Sequence, residues 1–312
     1  MANMISILLA SYNGEKYITE QIESLLCQTF LDFKLFICDD KSTDNTFSLI
    51  LEYAKKYPDK VLVTQNIENS SSAKHNFMQM MLSHKDDYVM LCDQDDVWLP
   101  NKIELTLARM KEMESRVGTD TALLVHTDLR VVSEDLATVI SPSFKEAMNS
   151  NFSRAKLSDQ IIQNTLTGCT VMYNRCLSDL IDRVPGFMVM HDWWLMLIAS
   201  AFGEIDSVDA QTVLYRQHGK NSIGAKDVRK ISYKINKLTH YSDMKRALDE
   251  TYQQAESFLD AYNDQLNSEQ TELLETYCKI PSMPKIRRWQ TMCRLGCLKN
   301  GISRKIASFI FV

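Results

Sequence analysis

No G-x-G-x-x-G motif follows the first apolar run of this 312-residue chain, which argues against a dinucleotide-binding oxidoreductase. No C-x-x-C pair occurs among its eight cysteines, and Cys293 and Cys297 lack the His or Cys partners of a zinc site. Cys27, Cys38, Cys92 and Cys169 instead fall in apolar stretches, the setting of buried free thiols. A reduced, cytoplasmic location is the expectation. No run approaches the roughly 18 apolar residues of a membrane-spanning helix. The first ten residues carry no basic segment and lead straight into Ser11-Tyr12-Asn13, so they read as a first strand rather than a signal peptide. There is no internal repeat and no low-complexity segment.

Acidic residues are missing after Glu275, where Lys279, Lys285, Arg287, Arg288, Arg294, Lys299, Arg304 and Lys305 carry eight positive charges. The net charge of the chain is −5, so taking those eight away leaves −13 on residues 1–275. An acidic body argues against nucleic acid as a partner, and a basic tail points to a second, surface-binding function. With 45% hydrophobic residues the chain has ample material for a large core.

What is present begins with alternating strand and helix patterns. Strands are expected at 4–10, 33–38, 61–64 and 88–92, and helices at 15–27, 46–57, 72–82 and from Pro100 to about residue 113. Asp44 or Asn45 is the expected cap of the second helix. Such alternation implies a parallel sheet with helices on both faces, in which ligands bind beyond the carboxyl ends of the strands. Ser11-Tyr12-Asn13-Gly14, Asp39-Asp40 and Asp93-Gln94-Asp95-Asp96 all fall at such ends. From residue 122 the pattern is irregular. Short strands are expected at 123–125, 170–173 and 213–215, helices at 177–184 and 193–202, and a mobile polar loop at 141–159. Beyond residue 226 only helix patterns occur, including 242–264 and 268–277.

Tyr88–Cys92 is an apolar strand that ends in three carboxylates, Asp93, Asp95 and Asp96. Like charges repel and resist burial, so packing alone gives no reason to crowd them. A magnesium or manganese ion removes the objection, because hard oxygen ligands suit it and it commonly bridges carboxylates to substrate phosphates. Asp96 has a second reading as the cap of the following helix.

In series, Ala10-Ser11-Tyr12-Asn13-Gly14, Asp39-Asp40-x-Ser42-x-Asp44, Asp93-Gln94-Asp95-Asp96-Val97-Trp98, Thr167-Gly168-Cys169-Thr170, His191-Asp192-Trp193-Trp194 and Tyr215-Arg216-Gln217-His218-Gly219-x-Asn221 resemble glycosyltransferase family 2. Within it the likeness is to bacterial rhamnosyltransferases of cell-surface polysaccharide synthesis. The resemblance implies the α/β GT-A fold, a mostly parallel sheet flanked by helices, over residues 1–225, with a helical extension at 226–312. It implies an inverting, metal-dependent sugar transfer from a nucleoside-diphosphate sugar. Ser11, Tyr12, Asn13, Asp39 and Asp40 would then hold the nucleoside. Asp95 would bind Mg2+ or Mn2+, Asp93 the ribose or the metal through water, and His218 would complete the metal shell. Arg216 would pair with the diphosphate. Asp192 would be the base for the acceptor hydroxyl, with an N-cap as its other reading. Gly168, His191, Trp193 and Trp194 would lie on the acceptor side, the Trp pair stacking on a sugar face. Family members often have Glu-Asp where this chain has His191-Asp192, which leaves the part played by His191 open.

The donor suggested first is dTDP-L-rhamnose, with UDP-galactose, UDP-glucose and UDP-N-acetylhexosamine behind it. The acceptor suggested is a lipid-linked cell-surface glycan. In the tail, Ile286, Trp289, Met292 and Leu295 recur every third residue, with Ile302, Ile306, Phe309 and Phe311 beyond. They are read as the apolar face of a basic helix on an anionic membrane, which would put the protein at the inner face of the cell membrane. Two other classes use the same residues: a metal-dependent phosphohydrolase or nucleotidyltransferase, and a non-catalytic sugar-nucleotide-binding module.

Overall fold

The computed structural model describes residues 4–70, 72–148, 151–219, 241–301 and 304–305. By packing, the chain divides into two units. The first comprises Met1–Phe144, Leu166–Val184 and Ile205–Ala225, the second Lys145–Thr165, Pro185–Glu204 and Lys226–Val312. Segments 145–165 and 185–204, expected within a domain at 1–225, are thus grouped with the C-terminal helices.

In the first unit β1 (Ile5–Ser11), α1 (Ile18–Leu26), β2 (Phe33–Asp39), α2 (Thr46–Lys56), β3 (Val61–Gln65), α3 (Ala73–Ser83) and β4 (Tyr88–Asp93) alternate as expected. Then follow β5 (Val97–Trp98), α4 (Lys102–Val117), β6 (Ala122–Ser133), β7 (Val139–Ser141), β8 (Val171–Asn174) and β9 (Gly203–Gln217). The sheet runs β3-β2-β1-β4-β8-β6-β9-β5, with β7 on β6. Strands β3 to β4 along that order pair in parallel, whereas β8 pairs antiparallel with β4 and β6, and β5 with β9. The sheet is therefore mixed. Its parallel half reads as continuous apolar runs because both faces are covered: every residue of β1 is buried.

Register places the functional edge. Ser11 lies opposite Asp39, Ala10 opposite Asp93, and Asp39 opposite Gln65, so four strands end within one residue of the same level. The chain runs from β1 outward through β2 and β3, then returns to place β4 on the other side of β1. The order reverses between β1 and β4, the place where open α/β sheets bind ligands.

Strands β6 and β9 are 12 and 15 residues long. Their sequences hide this. In β6, His126, Thr127 and Asp128 interrupt the apolar pattern yet are each 1% exposed. Their partners are remote. The Thr127 hydroxyl bonds that of Thr212 at 2.7 Å, and Asp128 Oδ2 accepts from Ser143 Oγ at 2.6 Å and Gln211 Nε2 at 3.1 Å. The 141–159 stretch contains two short helices, Phe144–Ala147 and Leu157–Gln160.

In the second unit the helix His191–Phe202 buries Trp194 against Phe258, ring centroids 5.3 Å apart and edge-on, with Tyr262 beside them. The helix Ser268–Lys279 starts with a reciprocal capping box between Asn267 and Gln270. The tail helix Lys285–Leu295 stops at Gly296, whose φ of +72° is the left-handed cap that glycine permits. Its expected apolar face is not one face. Met292 is fully buried, while Ile286 is 78% and Trp289 38% exposed. At ~3.6 residues per turn each step of three falls about 60° short, so Ile286 and Leu295 lie on opposite sides. Ile302, Ile306, Phe309, Phe311 and Asn221 lie outside the described residues. Among the described residues no helix is long and apolar enough to cross a membrane.

Candidate active site

The first loop, after β1, is shaped by its own side chains. Asn13 takes φ +46°, which Asn tolerates. Its Oδ1 accepts the Thr43 N–H at 2.8 Å, and its N–H donates to Ser42 Oγ at 2.9 Å. Ser11 Oγ donates to Asp39 Oδ1 at 3.1 Å. Ser11 and Asn13 are therefore committed to holding the loop. Tyr12 remains 47% exposed, with its ring open to solvent.

The two carboxylates after β2 differ in what they can still do. A carboxylate offers about four acceptor positions. Asp39 fills them: it accepts from Ser11 Oγ, Ser42 Oγ, the Ser42 N–H and Gln65 Nε2. Asp40 accepts from Asn66 Nδ2 at 2.8 Å, the Ser70 N–H at 2.7 Å and Ser70 Oγ at 2.7 Å. Among the described residues one position is left, on Oδ2. Of the pair, Asp40 keeps capacity for a ligand N–H or O–H.

Between β1 and β4 the two loops are tied by Gln94. Its Nε2 donates to Tyr12 O at 2.9 Å and its Oε1 accepts the Tyr12 N–H at 2.8 Å. A Cβ added to Gly14 would overlap the Gln94 amide, so the neighbouring glycine is required by this contact.

Of the carboxylates after β4, Asp93 and Asp95 are partly exposed and Asp96 is buried. Asp95 Oδ2 meets His218 Nε2 at 2.8 Å, with side chains 18% and 8% exposed. Adjacent ligands of an octahedral ion with bonds of ~2.0–2.1 Å lie about 3 Å apart, so this pair already has the spacing to share one divalent cation. Asp93, Asp96 and Cys169 each bring one ligand atom within 4.8 Å of the others. Burial, then Asp95 and Asp93, push the Asp96 carboxyl well up, and burial first does the same to the Cys169 thiol. Sulfur is a soft ligand and suits a hard cation poorly, so oxygen is the better match within this cluster. Asp96 does not cap a helix. Strand β5 follows it, α4 begins six residues on behind Asn101, and Pro100 precedes that cap rather than entering the first turn. Asp96 Oδ1 instead accepts the Arg216 N–H at 3.2 Å.

Beneath this cluster lies Lys102, fully buried, its Nζ 4.4 Å from the Trp98 ring centroid. Burial pulls its ammonium down to about 8, opposed by Cys169, Cys92 and Asp96. A cation at the first position of a helix opposes the macrodipole, and that misfit was the one sequence signal for it.

Arg216, expected at the diphosphate, is 3% exposed and turned inward. Its Nε donates to Asp95 O at 2.9 Å, Nη1 to Glu134 O at 2.6 Å, and Nη2 pairs with Glu20. It fastens the end of β9 to the loop after β4. Tyr17 and Glu134, with no motif to mark them, complete this corner: Tyr17 Oη donates to Glu134 Oε1 at 2.6 Å, and Lys16 pairs with the same carboxylate.

Asp192 belongs to the second unit and is 6% exposed. Its Oδ1 accepts Asn164 Nδ2 at 3.1 Å and the Trp193 N–H at 2.6 Å. The helix cap is Met190, so Asp192 lies inside the first turn. Trp193 Nε1 donates to Gln160 O at 2.6 Å. Trp194, at 1% exposure, has no ring face left for a sugar, because the second unit needs it as core. His191 is 4% exposed, and burial draws it down to about 3, so it is neutral at physiological pH. Gly168, in the first unit, opens a buried 3-10 turn, Gly168–Thr170.

The chain is 26% identical over 240 residues to the dTDP-rhamnosyl transferase RfbG of Shigella flexneri, covering 72% of this chain and 77% of that one. It is 31% identical over 107 residues to the Escherichia coli UDP-Glc:alpha-D-GlcNAc-diphosphoundecaprenol beta-1,3-glucosyltransferase WfgD, covering 34% of this chain and 41% of the relative. Among solved structures, S. aureus TarS in complex with UDP-GlcNAc superposes with a TM-score of 0.56 at 17% identity, covering 98% and 89% of the two chains. The mannosyltransferase PcManGT of Pyrobaculum calidifontis, in complex with GDP-Man and Mn2+, gives 0.53 at 15% identity, covering 94% and 85%. Those likenesses concern the GT-A fold. Residues 6–176 match the family described as Glycosyl transferase family 2, and with more than half its length so matched the chain belongs to that family of glycosyltransferases.

Proposed function

We propose that this enzyme transfers a sugar from a nucleoside-diphosphate donor to a glycan acceptor by a single, inverting displacement assisted by Mg2+ or Mn2+. The observation that carries the reading is the shared strand-end level of Ser11, Asp39 and Asp93, with the Asp95–His218 pair beside it. The Tyr12 ring and Asp40 Oδ2 hold the base and its N–H. Asp95, Asp93 and His218 hold the cation, which when bound neutralises charge gathering on the diphosphate leaving group. Asp192, its carboxylate oriented by Asn164, takes the proton of the attacking hydroxyl.

The proposed donor is dTDP-L-rhamnose, on the strength of the alignment with a relative named for that donor. The proposed acceptor is a lipid-linked glycan, and Ile286, Trp289 and Arg287 on the exposed side of the tail helix meet the anionic inner face of the cell membrane. The test is a panel of dTDP- and UDP-sugars offered with membrane-extracted acceptor and manganese. Transfer from dTDP-L-rhamnose with inverted anomeric configuration is expected. Release of free sugar or nucleotide with no glycoside at any acceptor would identify a hydrolase instead.

A further inference from the structure

Tyr17 has no place in the motif series, yet its ring supports two groups at the metal corner. The His218 imidazole stacks on it at 4.8 Å between centroids and 26° between planes. The Arg216 guanidinium carbon lies 4.9 Å from the same centroid. Arg216 lies at the end of β9 and His218 directly follows its final residue, Gln217, and both meet the same ring. The ring is itself fixed: Tyr17 is 9% exposed, stands at the start of α1 with its N–H on Gly14 O, and its hydroxyl is held by Glu134. A line of contacts therefore runs Glu134, Tyr17, His218, Asp95.

We infer that Tyr17 is a positioning residue, whose ring holds the His218 imidazole with Nε2 toward Asp95 and so sets how tightly the site takes a divalent cation. The inference rests on the metal reading of Asp95 and His218. A metal-binding imidazole depends on what orients its ring, and loss of such a support typically weakens metal binding 10–100-fold. Here an aromatic face supplies such a support. It is the face, more than the phenol oxygen, that touches His218.

The experiment measures Mn2+ binding by the loss of the free-ion EPR signal, with manganese alone and with UDP or dTDP added. It uses the full chain and the variants Tyr17→Phe, Tyr17→Leu and His218→Ala, each checked for an intact thermal transition. Tyr17→Phe keeps the stacked ring and is expected to bind within about twofold of the parent. Tyr17→Leu is expected to bind ~10-fold or more weakly, while transfer recovers most of its kcat at saturating manganese. Equal binding by Tyr17→Leu and the parent would overturn the inference, as would a loss in Tyr17→Phe as large as in Tyr17→Leu. Parent protein that takes up no manganese under any condition would instead remove the metal reading on which the inference stands. Should Tyr17→Leu not fold, Tyr17→Trp, which restores an aromatic face, decides the matter by its manganese affinity against that of Tyr17→Met.

Discussion

Gln94 and Tyr12 are joined by two hydrogen bonds between a side-chain amide and a peptide unit, one in each direction. They bridge the place where the strand order reverses, so the loops after β1 and β4 are held as one surface. Gln94→Ala should leave the fold in place and raise the donor KM several-fold with a smaller change in kcat. Gly14→Ala, which pushes on the same amide, should do likewise. Calorimetric titration with the donor nucleotide checks both. Unchanged donor affinity in both variants would show that the loops do not need the tie.

Asp95→Asn should cut transfer by more than about 100-fold and remove only the manganese-dependent part of donor binding. Titrations with and without manganese measure this. Full activity of the parent in chelator would reject the role.

For Asp192→Asn the expected outcome is a fall in kcat of ~10²–10⁴ with donor affinity within a few-fold. NMR of the product anomeric centre gives the stereochemistry alongside. Donor binding lost in step with activity would assign the carboxylate to another task.

The tail helix separates two effects that its sequence runs together. Ile286→Ser with Trp289→Ser should lower salt-sensitive binding to anionic vesicles and barely shift the melting temperature, since both side chains are exposed. Met292→Ala should instead cost ~2–5 kcal/mol of stability, because Met292 is buried. Vesicle co-sedimentation and thermal melts of the two variants test the division.

Acid should destabilise the protein through its buried histidines. Burial holds His126 at about 4 and His191 at about 3, below the unfolded value of about 6.5. Above 6.5 both states are neutral and this contribution is complete. As pH falls below 6.5 the unfolded chain gains protons that the native state refuses, so stability drops by on the order of 1 kcal/mol per pH unit for each histidine. His191→Gln should make the decline between pH 6.5 and 5 shallower in urea unfolding, and an unchanged slope would contradict it.

The parallel half of the sheet was readable because burial on both faces writes itself as unbroken apolar runs, as in Ile5–Ser11 and Tyr88–Asp93. Strand-end position then brought out Asp39, Asp40, Asp93 and Asp95. Strands β6 and β9 were read at a fraction of their length. Buried polar residues such as Thr127 and Asp128 are tolerated only because Thr212, Ser143 and Gln211 meet them, and those partners are remote in sequence. The same limit applies to Arg216. Its type suggested a phosphate ligand, and only the fold supplies Glu20, Glu134 and the Asp95 carbonyl to absorb it. Trp194 was placed at a sugar through the family resemblance of its motif, while Phe258 and Tyr262, which enclose it, lie more than sixty residues on.

The lateness of β9 has a consequence for how the molecule comes into being. A ribosome delivers Ser11, Asp40, Asp93 and Asp95 long before Arg216 and His218. A chain stalled ahead of Gly203 carries the acidic edge with neither the histidine that faces Asp95 nor the arginine that locks its loop. Such a fragment can form the first four parallel strands, whose pairings are all internal to the first ninety-three residues. On the proposed metal reading, the pair that would hold the cation is complete only once residue 218 has been made.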